Sequence, residues 1–189
     1  MKKTVIIAEV GVNHNGDMSL AKKLIDVAAD AGADYVKFQT FIADELVSKN
    51  AKKASYQIKH TSKNETHYQM IKNLELSENM HINLINHCNN AGIKFLTSPF
   101  GIKSIELLNK FGMETYKIPS GEITNLPYLK IIGGLKKKII LSTGMSTLAE
   151  IKDAVNILYD EGLKKDDLTI LHCNTEYPTP MHDVNLKAM

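Results

Sequence analysis

Residues capable of acid–base, nucleophilic or anion-binding chemistry recur at one kind of place in this chain, the far end of a short apolar run. Glu9 follows Val5, Ile6, Ile7 and Ala8. Lys37 and Gln39 close the run 35–39. Thr97 and Ser98 follow Phe95 and Leu96. Lys117, Ser120 and Glu122 follow Thr115 and Tyr116. Ser142 and Thr143 follow Ile139, Ile140 and Leu141, and His172 follows the run 168–171. In an α/β barrel the C-terminal strand ends and their loops form the active-site face. A row of Lys, Ser, Thr, Gln and Glu there reads as a site for a small anionic substrate.

Lys117, Ser120 and Ser142, with the turns Ser120-Gly121 and Thr143-Gly144, can cradle a phosphate. Small residues let backbone N–H groups approach it, and Lys supplies a point charge. The same dipeptides are also ordinary turn chemistry. Lys37 interrupts an apolar strand, which is costly unless the ammonium meets an anion. It can bind phosphate or carboxylate, act with lowered pKa as a Schiff-base nucleophile (as can Lys117), or face outward and snorkel. Glu9 and Glu122 are candidate acid/base groups. Glu9 can equally pair with a strand-end Lys. Tyr177, in the stiff loop Tyr177-Pro178-Thr179-Pro180, can stack on a substrate or pack the loop.

The histidines give no metal signature. His14 lies in an Asn- and Gly-rich turn, and His172 stands alone at a strand end. His60, His67, His81 and His87 lie in polar or helical contexts and read as surface residues. No His/Asp/Glu spacing makes a metal site within this chain. Cys88 and Cys173 have no metal-like or redox-like spacing, in keeping with a reducing compartment.

With 189 residues, 43% hydrophobic and 23% charged, the chain can bury a sizeable core as one domain. A formal net charge of +2 points to neither nucleic acid nor an acidic membrane. All the basic charge is Lys and none is Arg, so an anion must be held by Lys, hydroxyls and backbone N–H groups, or by an Arg from another chain. Glu9 breaks the first apolar run too early for a cleavable signal, and no run is long enough to span a membrane. The expected location is the cytoplasm.

The elements that must position these residues alternate. Strands are predicted at 4–9, 35–39, 94–97, 115–118, 138–141 and 168–172. Helices are predicted at 18–31, 78–91, 103–111, 127–132 and 147–161, with Gly32, Gly92, Gly112 and Gly162 at their ends and a capping box from Ser146 or Thr147 to Glu150. The stretch 41–77 breaks the rhythm. Helical patches at 43–47 and 65–74 make it an ordered excursion over the site. A last helix is predicted near Val184. Repeated βα units imply a parallel sheet with right-handed crossovers. An eight-stranded barrel needs about 250 residues, so six units read as a truncated barrel or an open sheet.

Six motifs stand in order: Ala8-Glu9-Val10-Gly11-Val12-Asn13-His14-Asn15-Gly16, Val36-Lys37-Phe38-Gln39-Thr40, Thr97-Ser98-Pro99-Phe100, Tyr116-Lys117-Ile118-Pro119-Ser120-Gly121-Glu122, Leu141-Ser142-Thr143-Gly144-Met145, and the run from Leu171 to Pro180. Together they closely resemble the sialic acid synthase family, the bacterial N-acetylneuraminate synthases with their legionaminate and pseudaminate relatives. The resemblance covers essentially the whole chain, and its last motif is nearest the N-acetylneuraminate and legionaminate branch.

It implies a TIM (β/α)8 barrel of the phosphoenolpyruvate-utilising type, here about six βα units in a single incomplete domain over 1–189. The family's C-terminal antifreeze-like domain is then absent, and the full enzyme is expected to be a homodimer. The implied reaction condenses phosphoenolpyruvate with an N-acylated mannosamine-type sugar and releases phosphate. It requires Mn²⁺ or Mg²⁺, whose histidine ligands are expected beyond residue 189. By resemblance Lys37, Lys117, Ser120 and Ser142 hold phosphoenolpyruvate, and Ser98 falls at a hydroxyl position. Gln39, Glu122 and Tyr177 lie near the sugar, and Glu9 handles the intermediate at C2. Thr175 stands where some members have Asn. The isolated chain is expected to be inactive. Two other readings are a Schiff-base aldolase using Lys37 or Lys117, and a non-catalytic anion- or sugar-binding barrel fragment.

Overall fold

The computed structural model describes residues 4–48, 51, 65–176 and 178–189. Its elements are β1 (Ile7–Gly11), α1 (Met18–Asp30), β2 (Tyr35–Thr40), α2 (Ala43–Leu46), α3 (His67–Leu74), α4 (Glu78–Ala91), β3 (Lys94–Pro99), α5 (Ile102–Lys110), β4 (Thr115–Ile118), α6 (Leu126–Gly134), β5 (Lys138–Ser142), α7 (Leu148–Asp160) and β6 (Leu168–Leu171). The strands form two parallel three-stranded sheets, β1-β2-β3 and β4-β5-β6. The chain divides into two compact units, Met1–Leu107 and Leu108–Met189, with the boundary inside α5.

In the first unit, Val36 and Phe38 of β2 are fully buried with Ala21 and Ile25 of α1 and Leu84 and Cys88 of α4. Alternate residues of a strand share a face. The positions between them, Lys37 and Gln39, are only partly buried and present their polar groups away from this core. Asp17 caps α1 by accepting from the Ser19 and Leu20 N–H groups, and Ser77 caps α4 by accepting from Met80 N–H. In the second unit Tyr116, Ile118, Ile139 and Leu141 form the strand side of the core, with Tyr128, Leu129 and Ile132 of α6 and Leu158 of α7. Thr147 and Glu150 make the predicted capping box on α7.

Several boundaries move from the sequence expectation. β1 begins at Ile7 and runs to Gly11, not over 4–9. Ile6 is already engaged by Asp34, its N–H by the side chain and its carbonyl by the backbone. Val5 and Ile6 are exposed. β3 continues through Ser98 to Pro99, because its register with β2 holds out to Thr40. β6 stops at Leu171, one residue before His172. The helix expected near Val184 does not form. Two short 3-10 turns, Met181–Asp183 and Leu186–Ala188, stand there instead. Pro180 cannot donate a hydrogen bond, and Asn185 N–H is taken by the His172 ring. The 41–77 excursion contributes α2 and α3. Glu75 accepts from Ala43 N–H at 2.8 Å and Tyr68 donates to Asp44 at 2.7 Å.

Candidate functional site

The first unit brings Glu9, Lys37, Gln39 and Ser98 together. Glu9 and Lys37 are register partners on neighbouring strands, so their side chains rise from the same face. Their charged ends meet at 2.5 Å, the side chains being 39% and 12% exposed. β1 slips register between Glu9 and Gly11, a bulge of the kind that re-aims a side chain. Gly11 adopts φ +56, and a Cβ there would lie 3.1 Å from Glu9 Oε1 and 3.5 Å from Gln39 Nε2. A bare backbone therefore lets the Glu9 carboxylate and the Gln39 amide share one spot. Lys37 Nζ also donates to Ser98 Oγ at 3.4 Å. Lys37 pairs in register with Leu96, so Ser98 is the next residue on the same face of β3.

The second unit repeats the arrangement. Lys117 pairs in register with Ile140, and its Nζ donates at 2.5 Å to Ser142 Oγ, the next same-face position on β5. It also donates to the Ile118 carbonyl at 3.1 Å. Lys117 is only 6% exposed. Cys173 donates its thiol to Ser142 Oγ at 3.4 Å. The same unit has a cavity of about 220 Å³ lined by Ser120, Gly121, Gly144, Ser146 and Thr175, among others. A Cβ on Gly144 would sit 2.9 Å from Thr175 Cγ2 and 3.3 Å from Ser120 Oγ, so three turns converge where the glycine is bare. Glu122, in the 3-10 turn Ser120–Glu122, accepts from Asn125 Nδ2 at 2.7 Å. Tyr177 lies outside the described residues.

The NeuB family matches residues 24–189, which carry Lys37, Gln39 and Ser98 of the first cluster and all of the second. The chain belongs to the NeuB family. It is 58% identical over its whole length to the N,N'-diacetyllegionaminic acid synthase of Campylobacter jejuni, covering 57% of that protein. It is 49% identical over 97% of its length to the Legionella pneumophila protein of the same name, covering 52% of it. The chain thus spans about half the length of these curated relatives. The crystal structure of a Leptospira borgpetersenii N-acetylneuraminic acid synthetase, in complex with citrate, superposes with a TM-score of 0.83. It is 30% identical and covers 98% of this chain and 60% of that one. The fold class is that of the TIM-barrel synthases, with about six βα units here.

One histidine of this NeuB chain differs from the sequence expectation. His81 is not a surface residue: it is fully buried, on the α4 face that also carries Leu84 and Cys88. That three- and four-residue spacing was the available signal. His81 Nε2 lies 2.8 Å from Thr40 Oγ1, which lies 2.8 Å from Thr97 Oγ1, and His81 Nδ1 lies 2.9 Å from the Ser77 carbonyl. His14, also fully buried, accepts from Gly16 N–H through Nδ1 at 3.0 Å. Burial holds both imidazoles below the usual histidine range, with neighbouring His81 adding to the effect on His14. His172 is exposed, and its Nε2 accepts from Asn185 N–H. Burial pushes the Cys88 thiol to about 12, which leaves it unreactive. Among the described residues no three His, Cys, Asp or Glu side chains gather as metal ligands would. No helix among them is long and apolar enough to cross a membrane.

Proposed function

We propose that this chain supplies substrate-binding strand ends of a synthase that condenses phosphoenolpyruvate with an N-acylated mannosamine-type sugar, forming a sialic or legionaminic acid and releasing phosphate. The observation that carries the reading is the 58% identity, over the full chain, to a protein named N,N'-diacetyllegionaminic acid synthase. It favours the diacetamido sugar over N-acetylmannosamine.

The geometry suits the parts the reaction needs. Each unit presents an ammonium group on a strand-end serine, of the kind that holds a carboxylate or a phosphate by charge. Ser120 and the bare Gly144 turn add a hydroxyl and room for backbone to approach. In this reading C3 of phosphoenolpyruvate attacks the sugar aldehyde, whose oxygen becomes a hydroxyl. Water adds at C2, and the C2–O bond to phosphate breaks. Glu9, beside Lys37, is assigned to the proton transfers at C2. Gln39 and Glu122 are assigned to the sugar hydroxyls, with Tyr177 and Thr175 as further contacts.

The test is phosphate release from phosphoenolpyruvate with Mn²⁺ present, using 2,4-diacetamido-2,4,6-trideoxymannose and N-acetylmannosamine. It compares this chain with a form continued to the length of its relatives. Release in the longer form with the diacetamido sugar is expected, and release with neither sugar would overturn the reading. The same proposal includes a cytoplasmic location, checked by fractionating cells, and a homodimer, checked by sedimentation of the longer form.

A further inference from the structure

We infer that His81 is a positioning residue for the first cluster: acting through Thr40 and Thr97, it fixes the ends of β2 and β3 that present Lys37, Gln39 and Ser98.

The hydrogen-bond directions follow from the partners. The Ser77 carbonyl can only accept, so the His81 nitrogen facing it at 2.9 Å, Nδ1, carries the proton. In the neutral ring Nε2 is then an acceptor, and Thr40, 2.8 Å away, must donate its hydroxyl proton to it. Having spent that proton, Thr40 can only accept from Thr97 at 2.8 Å. The chain runs one way, from Thr97 to Thr40 to His81 to Ser77, and every hydroxyl in it has a single orientation. Ser77 is the N-cap of α4 and also accepts from His81 N–H, so the chain ends on the first turn of that helix.

Its placement is what gives it reach. Thr40 and Thr97 alternate with Gln39 and Ser98, so they sit on the opposite face of the same strand ends. Gln39 and Ser98 are themselves register partners. Beyond them Phe100 N–H still donates to the Thr40 carbonyl at 2.8 Å. The Thr40–Thr97 bridge clamps the two strands from behind at the residues where the polar groups emerge in front. Thr97, Thr40 and His81 are each at most 1% exposed, so a hydrogen bond lost among them is not replaced by one to water.

The kinetic arm of the test rests on the synthase reading, and the spectroscopic arm does not. In the protein at the length of its relatives, Thr97→Val removes the first donor at nearly constant volume. It is expected to lower kcat/KM for phosphoenolpyruvate about tenfold, the scale of a sub-ångström misplacement, and Thr97→Ser to restore it to within about twofold. An unchanged kcat/KM alongside a lowered melting temperature would reduce the network to a structural one and overturn the inference. With ¹⁵N-histidine labelling, the proton of His81 is expected on Nδ1, and finding it on Nε2 overturns the chain direction. If the wild-type protein turns over no phosphoenolpyruvate, the function proposal fails, and the Lys37 ammonium ¹⁵N signal of lysine-labelled protein decides here. A shift in Thr97→Val that Thr97→Ser reverses supports the inference, and no shift sinks it.

Discussion

Lys37 and Lys117 do the same thing in the two units and differ in what stands beside them. Each reaches past its register partner to a serine one same-face position further along the next strand, Leu96 to Ser98 in one case and Ile140 to Ser142 in the other. β2 is the central strand of its sheet and β4 is at the edge of its own. Lys37 therefore receives Glu9 from β1, while Lys117 turns to the carbonyl of the next residue of its own strand. Lys37 holds its serine at 3.4 Å, and Lys117 holds its serine at 2.5 Å. Within the proposed reaction, Glu9–Lys37 is suited to moving a proton beside a charge, and Lys117–Ser142 to holding one fixed anionic group.

The largest effect should come from Lys117→Met. It keeps the stem that fills a buried position and removes the charge, and activity in the longer form is expected to fall about 10³-fold, as when a fixed electrostatic donor is lost. Phosphate release measures it, and a loss under about tenfold would remove Lys117 from the anion site. Glu9→Gln should cost about 10²-fold in kcat, the range of a general acid–base group. Its stability cost should stay within about 1 kcal/mol, because the Glu9 side chain is 39% exposed and half-solvated ion pairs contribute little. Urea unfolding separates the two numbers. If stability collapses with activity, the pair is structural and the contrast between the lysines disappears.

The two glycines sharpen the contrast at smaller scale. Gly11→Ala puts a Cβ 3.1 Å from Glu9 Oε1 on a backbone at φ +56. It should cost both stability, by about 1–2 kcal/mol of left-handed strain, and activity. Gly144→Ala meets Thr175 and Ser120 without a positive φ. It should raise KM for phosphoenolpyruvate about tenfold with the unfolding midpoint nearly unchanged.

Much of this was legible in the sequence, because the strands are short and each ends on polar residues. Glu9, Lys37, Gln39 and Ser98 were each legible as strand-end residues, but their gathering into one cluster depends on strand register. Thr115–Ile118 and Glu78–Ala91 fall where the periodicity put them. The β1 bulge was hidden, since a one-residue slip depends on the partner strand. His81 was misplaced because its imidazole was weighed as a polar group, while its burial is decided by Thr40 and Thr97, remote in sequence. The helix expected near Val184 had apolar residues but no face to pack against in the described structure, and Val184, Leu186 and Met189 are exposed.

The smallest effect at neutral pH, and the one that separates the units most simply, is acid sensitivity. The first unit buries His14 and His81, whereas His172 and His182 of the second are exposed. Burial lowers the folded-state pKa of both buried rings below 6.5. Between the folded and unfolded values the unfolded chain binds more protons, so the stabilisation is complete above about pH 6.5 and is lost as pH falls through the folded values. Protonated His81 would also have two donors facing a carbonyl and a hydroxyl, which forces Thr40 to reverse and donate to Thr97. Amide exchange, corrected for its intrinsic pH dependence, should therefore show protection of α4 falling between pH 7 and pH 5 while α7 keeps its own. His81→Gln, which can still accept from Thr40, should flatten the α4 response. Equal loss in both helices would mean that carboxylates common to the whole chain, and not these two rings, set its acid limit.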